Sequence, residues 1–173
     1  MSTTQQELKD LQRPLKAGYR EDPSSARITL TAKGGEGEEG VASCSVDLGR
    51  AIYAAQAHVG VGGAGTAACS GDLLLGALAA CAQLTCQMVA TAMEVPVESV
   101  NARVEGDLDL RGTLGLDREV PAGFESIRLR IDVVAPEATD EQLAKLGEKT
   151  ERYCTVAQTL MQPPPLSVEM FRS

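Results

Sequence analysis

Residues 70–93 read SGDLLLGALAACAQLTCQMVATAM, an apolar run with no proline to interrupt it. How this stretch is read decides the fold. Ser70 suits a helix N-cap and Asp72 complements the positive end of the helix dipole, so the run predicts one long helix of roughly 35 Å at 1.5 Å per residue. That length would also fit a membrane span. Asp72, Gln83, Thr85 and Gln87 break the apolar run, however, and strand-like segments lie on both sides. The expectation is therefore the buried central helix of a soluble domain, with no membrane involved.

Upstream, Ala26 to Lys33 alternates as ARITLTAK with Ile28, Leu30 and Ala32 on one face, and a second alternating run covers Val41 to Asp47. Gly34-Gly35-Glu36-Gly37 lies between them as a turn, which predicts a β-hairpin. Glu36, Glu38 and Glu39 read as solvated charge on that turn. Residues 1–24 are polar and read as a loosely attached arm, with a short helix around Gln6 to Leu11 that ends before Pro14 and a break at Pro23-Ser24-Ser25. Downstream, Val97 to Leu110 and Phe124 to Val134 are strand candidates expected to pair antiparallel across a loop containing Gly112, Gly115, Pro121 and Gly123. Thr139-Asp140-Glu141-Gln142 fits a capping box that opens a helix through Glu151, which continues or restarts near Cys154 and stops before Pro163-Pro164-Pro165. Leu166 to Phe171 is expected to be a last strand. Strand and helix blocks are segregated, which argues an α+β fold: a polar arm over residues 1–24 and a single domain over 25–173.

The 173 residues, 43% hydrophobic and 23% charged, are enough to bury roughly 70% of the unfolded surface, so disorder and repeat scaffolds are excluded. Sixteen Lys and Arg against 24 Asp and Glu leave a net charge of -8. With no Trp, two Phe and three Tyr there is little for a base to stack on, so no nucleic-acid partner is expected. Met1 to Gln6 has neither a basic nor an apolar segment of the secretory kind, and a reducing, cytoplasmic setting is the expectation.

In that setting five cysteines, at 44, 69, 81, 86 and 154, with no C-x-x-C pair, are either small buried hydrophobes or redox-active thiols. His58 is the lone histidine, so no multi-histidine metal site can form, and it is most simply a surface or hydrogen-bonded residue. Gly60-Val61-Gly62-Gly63-Ala64-Gly65 matches G-x-G-x-x-G, but no hydrophobic strand leads into it and no acidic residue follows about 20 positions on. It reads as a glycine loop that delivers the chain to the helix, and no cofactor is expected. Cys81 lies mid-helix between Ala79-Ala80 and Ala82, where small neighbours let another backbone or a small ligand approach. Being mid-helix, it gains nothing from its own helix N-terminus, so activation would have to come from a tertiary neighbour; the alternative is a buried structural thiol. Cys154 lies 73 residues further on, and only the fold can bring the two together. Cys69 precedes the expected N-cap, where a helix dipole would favour its thiolate. Cys86, about 140° around the helix from Cys81, and Cys44, on a strand face, read as core.

Taken together, SGDLLLGALAAC at 70–81, LDLRGTLGLD at 108–117, GFESIRLRIDV at 123–133 and LGEKTERYCTVAQTL at 146–160 resemble the OsmC/Ohr superfamily over roughly residues 26–171. The resemblance implies an OsmC-like α+β fold with antiparallel sheets, a long buried central helix and an intertwined homodimer whose active sites lie at the subunit interface. It implies a thiol-dependent peroxidase: Cys81 attacks the terminal oxygen of an organic hydroperoxide and becomes a sulfenic acid. Cys154 then resolves it to a disulfide, and an external dithiol, lipoyl-type in some members, reduces that bond. The chain departs from the family at the arginine and glutamate that hold the thiolate. The glutamate position reads Gly71, next to Asp72, and the glycine turn that carries the arginine in one branch reads Gly35-Glu36. Asp72, Arg50 and His58 remain as candidate activating residues. The rival expectation is a non-catalytic member of the same fold that binds a small apolar molecule in its interface pocket.

Overall fold

The computed structural model describes residues 4–29, 32–36, 43–47 and 52–172. They fall into two compact units, Met1–Asp72 and Leu73–Ser173.

The first unit opens with α1 (Gln5–Glu21), started by a capping box in which Thr4 Oγ1 accepts from the Glu7 amide and the Glu7 carboxylate accepts from the Thr4 amide at 2.8 Å. Contrary to the sequence expectation, the helix runs through Pro14 to Glu21. An internal proline costs about 3 kcal/mol. Gln6 and Arg13 both donate to Asp10, at 3.0 and 2.9 Å, pairs that contribute only a few tenths of a kcal/mol each. No residue of α1 is buried.

Asp22 then caps a 3₁₀ turn over Pro23–Ala26 by accepting from the Ser24 amide at 3.0 Å. This occupies the start of the segment expected to be the first strand. The strand instead is β1 (Lys33–Glu36), on the residues expected to turn; it pairs antiparallel with β2 (Ser43–Asp47) from Lys33↔Asp47 to Glu36↔Cys44. The expected antiparallel pair therefore exists with its first strand shifted along the chain, because ladder bonds are made by backbone and glycine supplies them like any other residue. The residues between the strands, Glu38 and Glu39 among them, lie outside the described residues. A third strand, β3 (Ile52–Gln56), which the sequence reading did not single out, pairs antiparallel with β2.

Between β3 and the long helix the glycine segment is a tied turn. Gln56 Nε2 donates to Thr66 Oγ1 at 2.7 Å, and Gln56 Oε1 accepts from the Thr66 amide at 3.2 Å. Gly62 takes φ 94°, and a Cβ at Gly63 would collide with the Ala57 carbonyl.

The long helix, α2 (Ser70–Met93), has the predicted bounds. Its cap is Cys69 rather than Ser70: the Asp72 amide donates to Cys69 Sγ at 3.4 Å, and Asp72 Oδ2 accepts from the Cys69 amide at 2.9 Å. A thiol thus takes the place of the usual hydroxyl in a capping box.

In the second unit α2 packs on a two-stranded antiparallel sheet, β4 (Ser99–Asp107) and β5 (Ser126–Val134), in register from Ser99↔Val134 to Asp107↔Ser126. Val100, Ala102 and Val104 with Ile127, Ile131 and Val133 join the apolar clusters, while the intervening charges form ion pairs in solvent, such as Arg103 with Glu105 and Arg130 with Asp132. A short helix, α3 (Leu110–Thr113), capped by Asp109, lies in the link between the strands. The Thr139 capping box is present as expected and opens α4 (Asp140–Tyr153); the chain then restarts as α5 (Thr155–Met161). Residues 162–172 hold no regular structure. The expected last strand is absent there, because a strand needs a neighbour to accept its ladder bonds and Leu166, Val168 and Met170 stand exposed.

Candidate functional site

Mid-helix Cys81 and the inter-helix Cys154, far apart in sequence, meet in one apolar cluster with Leu78, Ala82, Ala102, Val104, Ile127 and Ile131. Small residues make the approach feasible: Ala82 is fully buried, and Cys154 is 1% exposed. Helix α2 carries Cys81 into this cluster, and α4 delivers Cys154 at its end. Cys154 is at once the C-cap of α4, its amide donating to the Thr150 carbonyl at 3.0 Å, and the N-cap of α5, its carbonyl accepting from the Gln158 amide at 2.9 Å. Its backbone is extended there, with φ -72° and ψ 103°.

That break is what gives the site its electrostatics. The first amides of α5 have no partners within the helix, and those of Thr155, Val156 and Ala157 favour the thiolate form of one or both cysteines. Burial pushes the Cys81 thiol up, but the Val156 amide, the Cys154 thiol, the Thr85 hydroxyl and the Thr155 amide all favour its thiolate, and the net shift is below the ordinary thiol value. Thr85 Oγ1 stands 4.0 Å from Cys81 Sγ. Cys154 goes the other way: burial, and then the neighbouring Cys81, push it up, against help from the Ala157 and Val156 amides. Hydrogen bonds to a charged group are worth about 1.5–3 kcal/mol each, and an ordinary thiol is only about 3% thiolate at pH 7. A few well-aimed amides therefore matter. The two thiols are differentiated by the donors that surround each, and among the described residues no arginine or glutamate acts on Cys81.

The candidate activating residues are placed otherwise. His58 caps a 3₁₀ turn at Val59–Val61, with Nδ1 accepting from the Gly60 amide at 3.1 Å. Asp72 is engaged with Cys69, and its carboxyl is held below the usual range by the Cys69 amide. Both belong to the first unit. Arg50 lies outside the described residues, as does the side chain of Cys44. Cys86 is 2% exposed within the core, its thiol pushed up by burial. What the sequence reading missed is the role of Thr85 and of the Thr155 and Val156 amides. A signal existed, since a capped helix beginning at Thr139 and a second helical run after Cys154 imply free amides beside that residue.

Behind Cys154 lies a cleft of about 440 Å³ in the second unit, walled by Leu78, Ile127, Leu129, Leu160 and Met161, with Glu151 also on its lining. Cys154 lines it; Cys81, half-buried, does not.

Residues 63–169 match the family model described as OsmC-like protein. The fold resembles an OsmC-like protein from Mycoplasma pneumoniae, with TM-score 0.65 and 17% identity over 79% of this chain and 89% of that one. It also resembles an organic hydroperoxide resistance protein from Legionella pneumophila, with TM-score 0.60 and 20% identity over 79% and 92% of the two chains. A third likeness is to an organic hydroperoxide resistance protein from Elizabethkingia anophelis, at TM-score 0.57 and 19% identity over 80% and 91%. At these identities the likeness carries the α+β fold with its small antiparallel sheets. No curated protein matches the chain.

Proposed function

Because the chain belongs to the OsmC-like family, we propose that it is a thiol-dependent peroxidase that reduces organic hydroperoxides at Cys81 and resolves the product with Cys154. The observation that supports this reading is the packing of these two thiols in one cluster, with the Cys81 thiol lowered and the Cys154 thiol raised. The Cys81 thiolate attacks the terminal oxygen of the hydroperoxide; the O–O bond breaks, the sulfur becomes a sulfenic acid and the alcohol leaves with a proton. Cys154 then attacks the oxidised sulfur, water leaves and a disulfide forms, which an external dithiol of the lipoyl type returns to two thiols. The amides at the start of α5 do for the Cys81 thiol what a charged activating pair would do, by favouring its thiolate. The same reading includes a homodimer and a cytoplasmic setting.

One equivalent of cumene hydroperoxide tests it. The reduced protein should lose two hydrogens in intact mass, with Cys81 and Cys154 joined in the peptide map. Cys154→Ser should leave a sulfenic acid that dimedone traps, and Cys81→Ser should leave the protein unreacted. First modification at Cys44, Cys69 or Cys86, or reaction of Cys81 no faster than an ordinary exposed thiol, would reject the peroxidase. The cleft behind Cys154 would then favour the second reading, a member of the fold that binds a small apolar molecule without turning it over.

A further inference from the structure

The two sulfurs of the cluster differ in what they border. Cys154 is 1% exposed and borders the apolar cleft, whereas Cys81 is half-buried and takes no part in its lining. The first step takes place at Cys81, whereas the sulfur that borders the cleft is that of Cys154. Its walls are apolar, and Glu151 is the one carboxylate among its described lining residues. Such a cleft accepts an uncharged apolar body and disfavours an anion.

Resting on the peroxidase reading, we propose that this cleft is the reductant site: an uncharged, apolar thiol enters it and attacks the Cys154 sulfur of the Cys81–Cys154 disulfide. The incoming thiolate forms a new S–S bond to Cys154, the Cys81–Cys154 bond breaks, and Cys81 departs as its thiolate. A second thiol, or the second sulfur of the same dithiol, then attacks the mixed disulfide at the reductant's own sulfur and releases Cys154, which takes up a proton. Two electrons pass from the reductant to the protein, and the reductant leaves as a disulfide. The direction of cleavage also follows from leaving-group chemistry, since the thiol with the lower pKa leaves faster, and here that is Cys81. Attack from the Cys81 side would have to expel the poorer leaving group.

The test forms the disulfide in the full-length protein with diamide, so that it does not depend on hydroperoxide turnover. The oxidised protein is pulsed with benzyl mercaptan, which is uncharged and apolar, or with mercaptoacetate at matched thiolate concentration. Quenching with N-ethylmaleimide and peptide mapping then locate the adduct. The expected result is benzylthio on Cys154 and maleimide on Cys81, with benzyl mercaptan reacting roughly tenfold faster than mercaptoacetate or more. Glu151→Gln should raise the mercaptoacetate rate roughly twofold to fivefold. Benzylthio on Cys81, equal rates for the two thiols, an unmoved mercaptoacetate rate in Glu151→Gln, or failure of diamide to join the two cysteines would each overturn the proposal. The peroxidase reading stands or falls separately, on whether hydroperoxide itself produces the disulfide.

Discussion

The lowered thiol of Cys81 depends on atoms that belong to other residues. Its neighbours along α2 are alanines, which supply space and no charge; the donors come from the first turn of α5 and from Thr85, one turn along its own helix. The same cluster leaves Cys154 protonated for longer, because burial and the adjacent Cys81 both oppose its ionisation. Alkylation by iodoacetamide as a function of pH should therefore separate them. A lowered pKa means that the thiolate is already populated on the acidic side of the ordinary thiol midpoint, so Cys81 should go on reacting as pH falls while Cys154 stops reacting above that midpoint. Peptide mapping after timed alkylation reads both curves, and a Cys81 midpoint at or above the ordinary value would remove the basis for calling it activated. His58, whose spacing ahead of α2 makes it a candidate for this task, accepts at Nδ1 from the Gly60 amide.

Among the elements, α2 shows how one residue can carry opposite meanings in sequence and in structure. Gln83 counted in the sequence as a polar interruption of a potential membrane span. In the fold it lies beside the edge of β4 and acts as a strand would, donating from Nε2 to the Val100 carbonyl at 2.5 Å and accepting at Oε1 from the Ala102 amide at 2.9 Å. Replacing it with alanine leaves two half-buried backbone groups of β4 without these partners. Gln83→Ala should therefore destabilise the protein by about 1–3 kcal/mol, seen as a lower midpoint of urea unfolding with an unchanged slope. A change within about 0.5 kcal/mol would mean that β4 is held by β5 and the apolar clusters alone. The elements that sequence located well share a cause: α2, β4, β5 and α4 carry their own periodicity or caps, so local information is enough to place them. Where it misled, at β1, at Pro14 and at the terminal segment, the outcome depended on which backbone lay alongside, or on helix continuity that propensity does not favour.

For the molecule as a whole, the unresolved matter of covering is on the surface of α2. Seven of its residues are buried, from Leu78 to Thr91, yet Leu84 and Met88 stand 58% and 42% exposed. The terminal segment adds Leu166, Val168, Met170 and Phe171, all exposed. Apolar surface of this extent is what a subunit interface would cover. On the proposed reading the full-length protein should sediment at twice the chain mass at micromolar concentration, and a monomer there would reject the dimer. Removal of residues 1–20 should leave a cooperative melt, because α1 contributes no buried residue. Composition, periodicity and caps by themselves determined an α+β chain with one long helix over residues 70–93, and the resemblance carried by residues 70–81 and 146–160 singled out the two cysteines. Only the tertiary structure decided what surrounds them. Among the donors at Cys81 are backbone amides freed by a helix break 73 residues away, and backbone amides have no signature in the identity of the residues that carry them.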